Sequence, residues 1–165
     1  MTDFSSTVLH AVAFRHTSPG RQPLSGGGSQ KFGGRWNRPS GSAAIYLADS
    51  LPTCIAEFQR MADGQGRGAA SLLPRALHHV ALNGVHLADL AAPDALKTAG
   101  LSFNDIVAEN WTRCQQVGEA VARAGFGGLR APSATGIGRV IVLFEAQFPR
   151  SRVRIVRTEE LGSYL

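Results

Sequence analysis

The chain has 165 residues, 44% of them hydrophobic and 18% charged. That is one domain's length, enough to bury a core without disulfide or metal staples, and the balance excludes a disordered tail. A net charge of +5 and a pI near 10.0 point to an anionic partner: a nucleic acid, a phosphate-bearing metabolite or an acidic protein.

Val8 to Phe14 is apolar enough for a first strand and leads into Arg15, His16 and the turn-rich run Thr17 to Gly20. A strand that ends in a cation points to ligand contact. Arg21 to Gly34 is rich in Gly, Ser, Pro and polar residues, so it is expected to be a loop, either a flexible linker or, since it runs directly into Arg35, a ligand-approaching one. Ala43 to Ala48 reads as a buried strand carrying Tyr46. Asp49 or Ser50 then caps a helix that tolerates Pro52 in its first turn and bears the apolar stripe Leu51, Ile55, Phe58 and Ala62. Glu57 falls about 100° from the middle of that stripe, on the boundary between core and solvent.

Three glycines between Gly64 and Gly68 end this helix. Ala76 to Leu82 and Val85 to Leu90 read as a hairpin about the tight-turn signal Asn83-Gly84. Short helices follow at Pro93 to Ala99 and Ser102 to Glu109. The longest helix, Trp111 to Ala124, has Cys114, Val117, Val121 and Ala124 on one face and Gly125 as its stop. Gly127 to Ala134 is a strand ending in a turn that presents Ser133. Val140 to Phe144 is a near-continuous apolar strand buried on both faces, and Val153 and Ile155 define a last strand with Arg152, Arg154 and Arg157 on it.

The remaining signals are negative. Cys54 and Cys114 sit among apolar neighbours, as small core residues of a reducing compartment. Met1 to Phe14 carries no basic start followed by a long apolar run, and no stretch of about 18 apolar residues occurs, so a cytoplasmic protein is expected. His78 and His79 point to opposite faces of a strand, and with His86 they lack the Cys or carboxylate companions of a metal site. No Gly-Lys-Ser/Thr follows a glycine-rich loop, Arg130 stands where a dinucleotide fingerprint wants glycine, and no Gly-x-Ser-x-Gly elbow occurs.

What remains is Arg35, Tyr46, Glu57 and Ser133, with Arg15 as a second cation. That set suits NAD⁺. Its nicotinamide leaves as a neutral ring, so cleavage of the glycosidic bond needs a fixed negative charge but no general acid. Glu57 can stabilise the oxocarbenium-like transition state, Arg35 can grip the pyrophosphate, Tyr46 can stack on the nicotinamide and Ser133 can bond its amide. Singly, each residue has a plain structural alternative: Glu57 paired with Arg60 on a helix surface, Arg35 on a basic face, Tyr46 in the core and Ser133 in a turn.

Phe14-Arg15, Leu24-Ser25-Gly26, Gly33-Gly34-Arg35-Trp36-Asn37, Ile45 to Ala48, Ala56-Glu57, Gly127 to Ala134 and Val140 to Phe144 together resemble the RES domain over nearly the whole chain. The resemblance implies a single domain over residues 1–165, α+β, with central mixed or antiparallel sheets flanked by helices, like diphtheria-toxin-type ADP-ribosyltransferases. It implies the toxin of an Xre–RES toxin–antitoxin pair, with Arg35, Tyr46 and Glu57 catalytic and Arg15, Arg35, Tyr46 and Ser133 holding NAD⁺, and no metal. The expected partner is an Xre-type antitoxin covering the NAD⁺ cleft, with nucleic acid reached only through it. Water, phosphate or a protein side chain can accept the ADP-ribose, and the sequence leaves these three open. Arg139 departs from the family's usual Gly-x-Asn. The rival readings are a basic RNA-cleaving toxin using His78 or His79, and a non-catalytic nucleic-acid-binding module.

Overall fold

The computed structural model describes residues 3–165. Six strands carry the fold: β1 (Ser6–Thr17), β2 (Ala44–Ala48), β3 (Ala76–Asp89), β4 (Gly128–Pro132), β5 (Arg139–Phe144) and β6 (Val153–Glu160). Five helices accompany them: α1 (Gly27–Phe32), α2 (Leu51–Gly64), α3 (Ala95–Thr98), α4 (Phe103–Val107) and α5 (Thr112–Arg123). All strand pairs are antiparallel except β3 with β4, so the sheet is mixed, as expected.

The long strand β3 organises the rest. One of its edges pairs with β1 along nearly the whole length. Its other edge takes β6 over Ala76–Leu82 and β4 over Leu87–Asp89. The layer β1–β3–β6 thereby packs face to face on the layer β2–β5–β4. Between them lie Ala13, Val80, Leu82, Val85, Leu87 and Val153 from the first layer and Ile45, Leu47, Ile141 and Leu143 from the second. The side-chain period of two sends Val142, Phe144, Ala44 and Tyr46 to the opposite face, against Trp36, Ile106, Cys114 and Val121. Residues Ile141 to Phe144 are all buried, the two-faced burial that the unbroken apolar run implies.

Two expectations need correction. Asn83-Gly84 is not a hairpin turn. β3 runs straight through it, and the register against β1 steps from Leu9↔Val85 to His10↔Asn83, leaving Gly84 as the extra residue of a bulge. Gly84 has φ +79, the left-handed backbone that a glycine bulge and a tight Asn-Gly turn both require, so the dipeptide could not tell them apart. The glycine-rich stretch before Arg35 is not all loop either, since Gly27–Phe32 forms α1 without a side-chain cap.

α2 begins as its sequence dictates. The Ser50 hydroxyl accepts from the Thr53 amide at 3.2 Å, and Pro52 occupies the first turn. α5 packs through Gly118, which the apolar stripe read from sequence passes over. A Cβ there would stand 1.8 Å from the Trp36 carbonyl oxygen. Gly118→Ala therefore forces α5 away from the Gly33–Arg38 loop, and thermal or urea unfolding is expected to show a loss of about 2–3 kcal/mol or more. An unchanged denaturation midpoint would contradict this contact. No helix is long and apolar enough to cross a membrane among the described residues.

Candidate active site

β1 and β2 touch through a single pair, Phe14↔Ala48, and beyond it the two layers part. The cavity at this parting has a volume of about 1280 Å³, above the roughly 300–1,000 Å³ of common small-molecule sites. It is lined by the end of β1, by β2, by α2, by the Gly33–Trp36 loop and by Ala108 to Trp111. Arg15, Arg35, Tyr46 and Glu57 all line it, and Ser133 lies immediately behind.

Glu57 is held from below. Ser133 is fully buried and its hydroxyl donates to Glu57 Oε1 at 2.5 Å. Ser133 Oγ in turn accepts from the Thr135 amide at 3.2 Å and lies 2.6 Å from the Thr135 hydroxyl, within the turn that follows β4. The second carboxylate oxygen accepts no hydrogen bond from the described residues. One oxygen is thus anchored and the other is presented to the cavity. Ser133 donates its hydroxyl to Glu57 and so aligns the carboxylate.

Arg35 leaves the Gly33–Arg38 loop, and that loop is tied at several points. Gly34 and Asn37 pair through their backbones, and the Gln115 side chain of α5 donates to both of their carbonyls, at 3.0 and 3.3 Å. Asn37 is fully buried and donates to the Ser29 carbonyl at 2.9 Å. Its Oδ1 accepts from the Tyr46 hydroxyl at 2.6 Å, and that hydroxyl accepts from the Trp36 amide at 3.0 Å. Burial raises the Tyr46 pKa well above the usual tyrosine value, so the phenol stays protonated and donating. Tyr46 thus holds the arginine loop by its hydroxyl while its ring edges the cavity.

The Arg35 guanidinium donates to the Ala108 carbonyl at 2.9 Å and to Asp105 O at 3.4 Å, and it lies 5.5 Å from the Trp111 ring centroid. Arg60 donates to the neighbouring Val107 carbonyl at 3.4 Å. It forms no ion pair with Glu57, which removes the plain reading of that carboxylate as half of a helix-surface pair. Arg15 donates to Tyr46 O at 3.1 Å and Ser25 O at 3.4 Å, and burial with the neighbouring Arg21 and Arg75 lowers its pKa to about 10.

Five arginines, Arg15, Arg21, Arg35, Arg60 and Arg75, line this one cavity. Ion pairs among the described residues involve Arg113, Arg130, Arg150 and Arg157 and the His79–Glu159 contact, and none of the five. Of these, the sequence marks only Arg15 and Arg35 as ligand contacts. The others come from segments far apart in the chain, with no local pattern to mark them. Asp89 and Arg130, by contrast, form a closed pair: burial alone would raise the Asp89 pKa, but the two Arg130 hydrogen bonds and its charge outweigh that and lower it.

The histidines serve elsewhere. His78 is bonded at both ring nitrogens, to Thr17 and Thr158 hydroxyls, and His79 lies 2.6 Å from Glu159. His86 tilts against Phe126 at 4.8 Å. His16 reaches the cavity, where burial and the charges of Arg75 and Arg15 lower its pKa to about 3. Its neutral form is the one that folds, so its contribution to stability is complete above pH 6.5 or so and is lost as pH falls from there toward 3. Chemical denaturation across pH 7 to 3 is expected to show the wild type losing stability relative to His16→Gln, with a slope approaching about 1.4 kcal/mol per pH unit. Parallel profiles would contradict the assignment.

This α+β protein thus sets a carboxylate, aligned by a buried serine, in a cavity lined by five arginines that form no ion pair among the described residues. The chain belongs to the RES domain family, whose model matches residues 8–162. It is 35% identical over 152 residues, 91% of this chain and 82% of the relative, to proteins of Mycobacterium tuberculosis and Mycobacterium bovis named NAD(+) phosphorylase MbcT. The solved structure of the M. tuberculosis MbcT–MbcA toxin–antitoxin complex superposes with a TM-score of 0.88 at 31% identity, covering 96% of this chain and 89% of that one.

Proposed function

We propose that this chain is the toxin of a toxin–antitoxin pair and destroys NAD⁺ by cleaving its nicotinamide–ribose bond, with inorganic phosphate as acceptor. The observation that carries the reading is the Ser133–Glu57 pair in the arginine-lined cavity, joined to the phosphorylase name of the relatives. A phosphate oxygen forms a bond to C1′ of the nicotinamide ribose while the carbon–nitrogen bond breaks. The bonding electrons pass to the ring nitrogen, and neutral nicotinamide and ADP-ribose 1″-phosphate result. No general acid is required, because the leaving ring loses its positive charge as it departs.

In this reading Glu57 acts on the transition state. Its exposed oxygen faces the developing oxocarbenium charge and can hold the ribose 2′-hydroxyl, while Ser133 keeps the carboxylate from rotating away. Arg35 and Arg15 hold the pyrophosphate, with Arg35 preset by the Ala108 and Asp105 carbonyls. Tyr46 holds the Arg35 loop in place. The ADP-ribosyltransferase likeness of the fold belongs to the same reading and is supported by the two packed layers and the cleft at their parting. So do the single domain over 1–165, a cytoplasmic site of action, and an Xre-type antitoxin that covers the cavity. The structural relative was solved in a toxin–antitoxin complex.

Induced expression in bacterial cells tests this. Intracellular NAD⁺ is expected to collapse with release of nicotinamide before growth stops, and co-expression of the cognate antitoxin is expected to prevent both. Toxicity with an intact NAD⁺ pool and ADP-ribosylated cellular protein would assign the chain to protein modification instead. RNA cleavage abolished by His78 or His79 substitution would favour the nuclease.

A further inference from the structure

The cavity is electrostatically divided in two, and Glu57 stands at the divide. On α2, Arg60 is rotated about 60° from Glu57 to one side, while Cys54 and Phe58 are rotated about 60° and 100° to the other. On the Arg60 side lie Arg35 and the carbonyls of Val107 and Ala108 that hold both guanidiniums. On the Phe58 side lies Arg75, 5.9 Å from the Phe58 ring centroid. It is anchored by Ser18 Oγ at 3.0 Å and by His16 Nδ1 at 2.8 Å. Arg75 donates to His16, so that nitrogen is the acceptor and the ring stays neutral, consistent with its low pKa. Arg21 follows on the same side. Burial is the larger cause of the lowered Arg15 and Arg75 pKa values, but the charges of Arg21 and Arg75 add to it for Arg15 and that of Arg21 for Arg75, so these three guanidiniums crowd one region. Neither Arg21 nor Arg75 forms an ion pair among the described residues.

We infer that Arg21 and Arg75, with Arg15 at their border, form a second anion subsite that binds the acceptor phosphate, across Glu57 from the Arg35 and Arg60 side. This rests on the phosphorolysis reading. An incoming phosphate must approach a ribose carbon that is held beside a carboxylate, and that carboxylate repels it. Unpaired guanidiniums on the approach side cancel the repulsion. Water as acceptor would need none. A pyrophosphate held by Arg35 and Arg15 leaves Arg21 and Arg75 without an anion, and a separate phosphate matches them. His16 accepts from Arg75 and orients it without adding a further positive charge beside the guanidiniums.

The test is steady-state nicotinamide release by the Arg21→Gln/Arg75→Gln variant, with phosphate and NAD⁺ varied independently. The KM for phosphate is expected to rise about tenfold or more while the KM for NAD⁺ changes by less than about twofold, with products shifting from ADP-ribose 1″-phosphate toward ADP-ribose. Calorimetric titration of the NAD⁺-free protein with inorganic phosphate is expected to weaken in parallel. Arg21→Gln alone, at an exposed position, provides the same comparison if the double variant does not fold. An equal rise in both KM values, or a phosphate KM that does not move, would overturn the subsite while leaving NAD⁺ cleavage intact. Absence of nicotinamide release from the wild type would overturn the NAD⁺ reading and this assignment with it.

Discussion

Glu57→Gln is expected to lower kcat for nicotinamide release by about 10²- to 10³-fold, close to 3–4 kcal/mol of lost transition-state stabilisation, while the Kd for NAD⁺ moves by less than about threefold. Glutamine keeps the volume of the side chain and offers Ser133 the same acceptor oxygen, so the folded state is retained. Only the negative charge is removed. In bound NAD⁺ the positive charge is spread over the nicotinamide ring, and it reaches the ribose beside Glu57 only as the bond to the departing nicotinamide breaks. A substitution felt in the transition state and scarcely in the ground state lowers kcat and kcat/KM together. Rapid-quench measurement of nicotinamide at saturating NAD⁺ separates the two terms. A variant with full kcat would remove Glu57 from the mechanism.

Arg35→Ala has the second largest expected effect, and of the opposite kind. The guanidinium is preset by Ala108 O and Asp105 O and by the Trp111 ring, and it forms no ion pair among the described residues. Its loss removes a charge-assisted contact of about 2–3 kcal/mol, so the Kd for NAD⁺ should rise about 30- to 150-fold. Arg35→Lys is expected to recover only part of this, because an ammonium cannot both engage the two carbonyls and offer paired donors to a pyrophosphate. Burial lowers the Arg35 pKa in spite of the partly compensating charge of Glu57, yet the group remains a cation through the neutral range. Calorimetric titration of each variant with NAD⁺ measures the difference. Unchanged affinity would place the pyrophosphate elsewhere.

Much of this architecture is legible in the residue order, for reasons that can be stated. Ile141 to Phe144 is an unbroken apolar run, and only a strand covered on both faces accepts one. α2 announces its start with Ser50 and Pro52, and its apolar stripe places Glu57 at the core boundary. The Arg35, Tyr46 and Glu57 unit is compact in sequence, so its convergence on one cavity follows from a loop, a strand and a helix in succession. Ser133 was legible as the residue presented by the turn after β4, but its bond to Glu57 was not, because the partner of a hydroxyl depends on which distant side chain the fold brings to it. Gly84 escaped because a bulge and a turn make the same demand on the backbone. Gly118 escaped because a glycine that permits close approach leaves no apolar mark on a helix stripe. Arg21 and Arg75 escaped because a cationic cluster assembled from separate strands and loops has no spacing to recognise.

In the proposed mechanism an aligned carboxylate at the divide of an arginine-lined cavity drives phosphorolysis of NAD⁺. Mass spectrometry of the nucleotide product formed by the purified wild-type protein from NAD⁺, with and without inorganic phosphate, tests it most directly. Free nicotinamide with ADP-ribose 1″-phosphate, formed only when phosphate is present, is the predicted result; NAD⁺ left intact, or ADP-ribose formed at the same rate without phosphate, would contradict it.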